Sequence, residues 1–437
     1  MLIRFRVRNY LSFRDEVEFS MIPGEAHQHP RHAIATGTAG LDVLRSAVVY
    51  GANASGKSNL IKSIHFAREY ILEGVKPKER IAVKPFKLER AWNEQPSKFE
   101  FEFSINGKSY LYGFELTPTT VQAEWLYEIK KTTEKMIFER HTNQADKAEV
   151  EFGTKLRPKK AQEFLQEFSA GTRPNQLFLT KCSEDNNIDY YKDVIRWFSR
   201  LNVIFPDSKY ISWPLEVLKE NNTITDIVKY LTAFDTGVCG SSTQKIENED
   251  IIPSVLIDDF KNNKKGDLVI LRNNQNLIYI LHKNDAGDVI LEKIVFIHHI
   301  DGCESETYFD LDEESDGTMR LIDLIPILIS QDEIFLVDEL DRSLHPSLSY
   351  RLFELLLANQ SKSQLIVTTH ESHLLDLDLL RRDEIWFVEK NRSGASTLYS
   401  LEEFAPRHDK DVQKGYLQGR FGAIPVMGNI DFDTVEG

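Results

Sequence analysis

Cysteine is scarce in this chain. Cys182, Cys239 and Cys303 are the only three in 437 residues, and no two of them form a CxxC pair. That rules out a disulfide framework and a thiolate zinc site, and it suits a reducing compartment, so a cytoplasmic protein is expected. Long apolar runs are also missing. No stretch approaches the roughly 18 consecutive apolar residues of a membrane span, and the opening MLIRFRVRNY has no apolar core of a secretory signal. We therefore expect no membrane partner. Heptads sustained over three or more repeats, solenoid repeats and low-complexity tracts are absent as well. His298 and His299 are adjacent, but no carboxylate or thiol stands at metal-ligand spacing around them, so no structural metal is expected. Positive charge is in deficit, with a formal net charge of −15. A chain built mainly to coat nucleic acid needs clustered Lys and Arg to displace counterions. The two local basic runs, Arg157 to Lys160 and Lys261 to Lys265, read as solvated surface.

What is present is an ordinary globular composition, 41% hydrophobic, long enough for two or three domains. Ile3, Phe5 and Val7 alternate with charged residues, and Val17, Phe19 and Met21 repeat the pattern, as strands do. Ala47–Tyr50 is a short apolar run of the buried-strand kind. Leu60, Ile64, Ala67 and Ile71 recur at helical spacing, with Gly74 as a stop. Phe99–Leu116 alternates out and back around Asn106-Gly107, the signature of a hairpin. From about 155 to 235 the pattern is helical, with Val194, Phe198 and Leu201 on one face and Ile227, Leu231 and Phe234 on another. From about 236 to 266 it is polar and loop-like, followed by strand candidates at 268–271, 277–281 and 289–296. The last third returns to α/β order: a helix over 319–330, a strand over 334–337, a helix over 347–359, and strands over 365–369 and 385–388.

Two segments carry chemistry. Gly51-Ala-Asn-Ala-Ser-Gly56-Lys57-Ser58 fits GxxxxGK[ST], with a strand before it and a helix after it. Gly51 and Gly56 let the backbone curl so that its N–H groups converge on phosphate oxygens. The helix starting near Lys57 points its positive end at the same anion. Lys57 would reach the outer phosphates of ATP and Ser58 would ligate Mg²⁺. Gly51, Asn53, Ser55, Gly56, Lys57, Ser58 and Asn59 are therefore the candidate nucleotide-binding residues. The second segment, Ile334 to Glu339, is a buried strand ending in two carboxylates. Asp338 can hold a Mg²⁺-bound water, and Glu339 can orient and polarise an attacking water as general base. Around it lie Ser315-Asp316-Gly317 before a helix, 21 positions separating Gly317 from Asp338, and a strand ending in His370, 31 positions beyond Glu339.

In that order and spacing the segments resemble the signature, Walker B, D-loop and switch histidine of ABC ATPases. The resemblance implies that Ser315 and Gly317 grip the γ-phosphate of ATP held by the opposite subunit, that His370 contacts the γ-phosphate of its own subunit as a third catalytic residue beside Lys57 and Glu339, and that Asp341 couples the two sites. The opening Arg8-Asn-Tyr-Leu-Ser-Phe13, the phosphate loop, Phe309 to Thr318, Asp338 to Pro346 and Tyr416 to Pro425 are together similar to the stand-alone RecF/SMC-like ATPases of bacterial abortive infection, of the RloA, AbiL and AriA types. One piece departs from the ABC pattern. Val83 to Leu88, where the metal-binding glutamine of such ATPases would fall, contains no Gln, and Gln122 fits poorly.

The fold expected is α/β, an ABC-type split P-loop head with an N-terminal β-layer, no long coiled coil and an inserted helical lobe. The divisions expected are 1–120 for the first half of the head, 121–290 for a mainly helical inserted lobe with some strands, and 291–437 for the second half. The resemblance implies an ATP-driven sensor or scaffold in anti-phage defence. It would act as a homodimer, able to associate further, with a separate nuclease or toxin effector and a DNA or phage-protein trigger. Two other readings stand beside it: a RecF-like repair ATPase that clamps duplex DNA, and an assembly protein for which slow hydrolysis makes binding the switch. The 67 residues after His370 are too few for an appended Toprim nuclease, and Asp431 and Asp433 read as solvated tail.

Overall fold

The computed structural model describes residues 1–25, 28–38, 40–131, 133–153, 165, 167–184, 191–207, 221–246, 260, 268–272, 278–283, 288–299, 306–404 and 411–425. The basic runs at 157–160 and 261–265, Cys303 and the Asp431/Asp433 pair lie outside them.

In chain order the first strands are β1 (Leu2–Arg8), β2 (Val17–Ser20), β3 (Ala33–Ala35), β4 (Asp42–Leu44) and β5 (Ser46–Tyr50), followed by helix α1 (Lys57–Leu72). Then come β6 (Ser97–Ile105), β7 (Lys108–Leu116), β8 (Val121–Ile129), β9 (Glu134–Thr142), β10 (Ala148–Phe152), α2 (Phe178–Glu184), α3 (Lys192–Ser199) and β11 (Leu201–Ile204). The middle of the chain contributes α4 (Asn221–Ala233), β12 (Val238–Lys245), β13 (Leu268–Arg272), β14 (Ile278–Lys283), β15 (Val289–His298), β16 (Thr307–Asp310), α5 (Asp316–Leu324) and α6 (Pro326–Ile329). The remainder is β17 (Ile334–Val337), α7 (Pro346–Ala358), β18 (Gln364–Thr368), β19 (Ile385–Lys390), β20 (Ser396–Ser400) and α8 (Val412–Leu417). Among the described residues no helix is long and apolar enough to cross a membrane.

Contacts divide the chain into two compact units, Met1–Val203 with Gln331–Leu340 and Leu357–Gly437, and Ile204–Ser330 with Asp341–Leu356. The first unit holds two large sheets and the two-stranded pair β3–β4. A seven-stranded antiparallel sheet runs β10-β9-β8-β7-β6-β1-β2. In β1 the odd residues Ile3, Phe5 and Val7 are buried, and Arg4, Arg6 and Arg8 face outward, where they pair with Glu102, Glu100 and Glu115 across the sheet. The β6–β7 hairpin turns on Asn106 and Gly107 at φ 52° and 72°, as the two-residue turn requires. The sheet continues beyond position 120, where the sequence suggested a change of domain. Strands β8 to β10 add to it in register, Leu126 opposite Tyr112 and Phe138 opposite Leu126.

A six-stranded sheet runs β11-β17-β18-β5-β19-β20, with β17, β18, β5 and β19 parallel and β20 antiparallel at one edge. Strands β5, β17 and β18 are buried throughout, which explains their unbroken apolar runs. The buried Gln364 amide joins the two sheets: it accepts from Leu2 N–H at 2.6 Å and donates to the Leu2 and Leu44 carbonyls. Leu201, expected on a helical face, begins β11 instead. The helix stops at Arg200, and the chain enters the sheet beside β17.

The second unit carries a sheet ordered β12-β15-β14-β13, with β16 also on β15. Strand β12, read as polar loop from its sequence, is held by antiparallel pairing to β15. The helix expected over 319–330 is split at Pro326, which cannot donate to the preceding turn, into α5 and α6.

Candidate functional site

Because β17, β18 and β5 are parallel neighbours, their carboxyl ends open on one edge of the sheet, the edge where such sheets bind ligands. Register places Val337 beside Val367 and Thr368 beside Val49. The three loops that follow are Gly51–Gly56 after β5, Asp338–Glu339 after β17 and Thr369–His370 after β18. The strand ending in histidine thus lies between the phosphate-loop strand and the carboxylate strand.

The loop after β5 has no room for a side chain at either of its glycines. A methyl group at Gly51 would lie 2.5 Å from the Val388 carbonyl oxygen and 2.5 Å from Ser55 Oγ. Gly56 adopts φ 117°, and a methyl there would meet the Ser396 and Ser12 hydroxyls at 2.5 and 2.7 Å. Ala54 is also left-handed, at φ 61°. Helix α1 starts at Lys57 with no side-chain cap on its first amides, which leaves its positive end for an anion. Lys57 Nζ curls back over the loop and donates to the carbonyls of Gly51 at 2.8 Å and Ala52 at 3.2 Å. Ser55 Oγ is buried without a hydrogen-bond partner. A tight glycine cradle, an orphaned buried hydroxyl and an ammonium held at the loop mouth together fit a polyphosphate. Asn53 is exposed at the loop tip and Ser58 is half-buried on the first turn of α1. Asn59 turns the other way and donates to Ser12 Oγ at 2.7 Å.

Thr368, which sequence reasoning passed over, organises the two carboxylates. Its hydroxyl donates to Asp338 Oδ1 at 2.6 Å and accepts from the Glu339 N–H at 2.9 Å, and its carbonyl accepts from Leu340 N–H at 3.0 Å. Asp338 is 3% exposed, and Glu339 is half-buried with its backbone left-handed at φ 49°. A charged residue in that conformation costs about 1 kcal/mol or more and is held there only by its surroundings. Thr369 N–H reaches the Val49 carbonyl at 3.2 Å, so the exposed His370 leaves the sheet right beside the phosphate-loop strand.

A hydroxyl cluster backs the loop. Ser396 on β20 donates within a group formed by Ser12 Oγ and the Ser55 carbonyl, and Ser12 itself belongs to the turn between β1 and β2. Residues 9–13 are thereby tied to the phosphate loop. Asn9 Oδ1 also accepts from Phe86 N–H, and the Lys84 carbonyl from Leu11 N–H. The segment 83–88 therefore runs along this turn, although it carries no glutamine. Gln122 is exposed on β8 and belongs to none of the three loops.

The remaining candidates belong to the second unit. Ser315 caps α5, its Oγ accepting from Thr318 N–H at 3.1 Å. Gly317 is pressed against the following loop: a methyl there would lie 3.0 Å from the Ser343 carbonyl oxygen. Asp341 opens that loop, its carbonyl accepting from Leu344 N–H. Just ahead of Ser315, the buried Glu314 carboxylate pairs with His298 Nε2 at 2.8 Å, a partner that linear spacing concealed. Among the described residues no group of three or more His, Cys, Asp or Glu could hold a metal ion. The hard oxygen donors Ser58 and Asp338 suit Mg²⁺ bound together with a nucleotide.

The parallel sheet, the glycine cradle and the strand-end carboxylates define a P-loop nucleotide-binding protein whose two site segments come from opposite ends of the chain. The chain belongs to the family described as "AAA domain, putative AbiEii toxin, Type IV TA system", which matches residues 46–180 and 240–376. None of the curated proteins compared with the chain matches it. Solved structures similar to it include an Smc head bound to the C-terminal winged-helix domain of ScpA, at 15% identity and TM-score 0.38, covering 92% of this chain and 99% of that one. An SMC head domain from Thermotoga maritima aligns at 14% identity and TM-score 0.32, covering 91% and 98%. An Smc head with an extended coiled coil, bound to a ScpA domain from Pyrococcus furiosus, aligns at 13% identity and TM-score 0.36, covering 92% and 97%.

Proposed function

We propose that the chain hydrolyses ATP to ADP and phosphate at the edge of its parallel sheet and uses that cycle as a sensor or scaffold in bacterial anti-phage defence. The observation that carries the ATPase reading is the single Thr368 hydroxyl that fixes both Asp338 and Glu339 beside the phosphate loop. The loop amides and Lys57 bind the phosphates, and Glu339 orients a water for in-line attack and takes its proton. Mg²⁺, held by Ser58 and through water by Asp338, would supply charge neutralisation at the phosphates. His370 contacts the γ-phosphate.

Ser315 and Gly317 would complete the site of a second copy, making the active species a homodimer that can grow further. What supports this reading is placement: Ser315 and Gly317 stand at the N-terminus of α5, the end of a helix that favours an anion. The defence role is supported by the family description, with its toxin, and by the RloA, AbiL and AriA resemblance of the segments at both ends of the chain. A separate nuclease or toxin would be the effector. A DNA-clamping role is less well supported: the half-buried arginines of β1 are each tied to a glutamate, so that face offers phosphates little net positive charge.

The test is phage plating on cells carrying the chain with its neighbouring genes. Wild type should reduce plating, and Lys57→Ala and Glu339→Gln should each abolish the reduction. Equal protection by Lys57→Ala would separate defence from nucleotide chemistry and end this reading.

A further inference from the structure

The described residues near the C-terminus, 411–425, contain the motif Tyr416 to Pro425 but no group with obvious chemistry. Their contacts are specific. Tyr416, 9% exposed, stacks on Phe387 with ring centroids 5.6 Å apart and planes 20° apart, and lies 5.7 Å from the ring of Tyr50, the residue before Gly51. Its hydroxyl donates to the Ala423 carbonyl at 3.3 Å. One turn earlier on α8, Gln413 Nε2 donates to Ser372 Oγ at 3.1 Å. Ser372 is two residues past His370. A short segment therefore touches both Tyr50, the residue that leads into the phosphate loop, and the loop that carries the histidine.

The rest of the segment clamps it in place. A methyl at Gly415 would lie 2.8 Å from the Phe421 ring, and Gly422, at φ 68°, has no room for one beside Tyr399 Oη. Phe421 stacks on Phe387 at 5.8 Å, and its carbonyl accepts from Tyr399 Oη at 2.8 Å. Gly415, just before the motif, and Gly422 within it are needed where the chain folds back on itself.

We infer that residues 411–425 form a strap that preorganises the nucleotide site, with Tyr416 positioning the phosphate loop and Gln413 positioning the His370 loop. Amides bind a phosphate only while the loop is held curled, so a buttress on Tyr50, where the loop begins, acts on nucleotide affinity. A tether on the His370 loop acts on turnover. The inference rests on the reading of Gly51–Ser58 as the nucleotide site.

The experiment measures binding of a fluorescent ATP analogue, phosphate release and melting temperature for the full chain and for Tyr416→Leu, Gln413→Ala and Tyr399→Phe. Tyr416→Leu, which removes the ring packed on Tyr50, should raise the nucleotide Kd about fivefold, with kcat little changed. Gln413→Ala should lower kcat about fivefold at unchanged Kd. Tyr399→Phe, which loosens the clamp on the same segment, should move Kd in the same direction as Tyr416→Leu. If Tyr416→Leu fails to fold, the kcat effect of Gln413→Ala decides. The strap is merely structural if Tyr416→Leu and Gln413→Ala shift the melting temperature but neither constant. Wild type that binds no nucleotide would bring down the underlying reading and the strap together, whereas wild type that binds, matched by its variants, would bring down the strap alone.

Discussion

At the scale of single residues, the site depends on positions whose identity is dictated by space or by one hydrogen bond. Thr368 is the clearest case. Its hydroxyl is donor to Asp338 and acceptor from Glu339 at once, so a valine of the same shape would keep the packing and lose both restraints. Thr368→Val should lower kcat about tenfold or more, in the range seen when an oriented acid–base group is released. Thr368→Ser, which keeps the hydroxyl, should recover most of it, as steady-state phosphate release would show. Loss of activity equal in both variants would mean that packing, not the hydroxyl, matters there. The glycines, lysine and carboxylates were legible in the sequence because their spacing is itself the motif. Thr368 was not, since its role arises only when β18 is inserted between β17 and β5. For the same reason Ser12 and Ser396, separated by most of the chain, gave no linear signal of meeting behind Gly56.

At the scale of elements, period-two alternation located β1, β2, β6 and β7, and unbroken apolar runs located β5, β17 and β18, because burial on one or both faces writes those patterns directly. Boundaries failed where a local rule was overridden. Pro326 broke one helix into two, and pairing to β15 made a strand of the polar residues 238–245. The helix α2 shows another long-range device. Its first amides, of Phe178 and Leu179, donate to the carboxylate of Glu124 on β8 at 2.6 and 3.0 Å, and Tyr112 Oη donates to the same group. Burial raises the Glu124 pKa above the usual carboxylate range, opposed by the nearby Arg140 and by these donors. A folded-state pKa above the unfolded one means that Glu124 contributes most below the unfolded value of about 4.3. That contribution is lost as pH rises through the folded value. Relative to Glu124→Gln, which does not titrate, wild type should therefore lose melting temperature as pH rises from 4.5 to 8. A difference between the two that stays constant over this range would show that Glu124 does not titrate with folding.

At the scale of the whole molecule, the chain places its phosphate loop, its carboxylates and His370 in one compact unit and Ser315, Gly317 and Asp341 in the other. On the proposed mechanism, ATP closes two copies over shared sites and hydrolysis lets them part, a population shift driven by contacts to the γ-phosphate. The net charge of −15 does not oppose this, because the proposed attraction is local, from an anion to helix ends and loop amides. The measurement that tests the account most directly is light scattering of wild type and Glu339→Gln, with and without Mg-ATP, beside phosphate release from the same samples. The account predicts that Glu339→Gln binds ATP, loses about 100-fold or more in turnover, and accumulates as a dimer only when Mg-ATP is present. A Glu339→Gln protein that hydrolysed ATP at the wild-type rate while remaining a monomer would contradict both the role of Glu339 and the shared site.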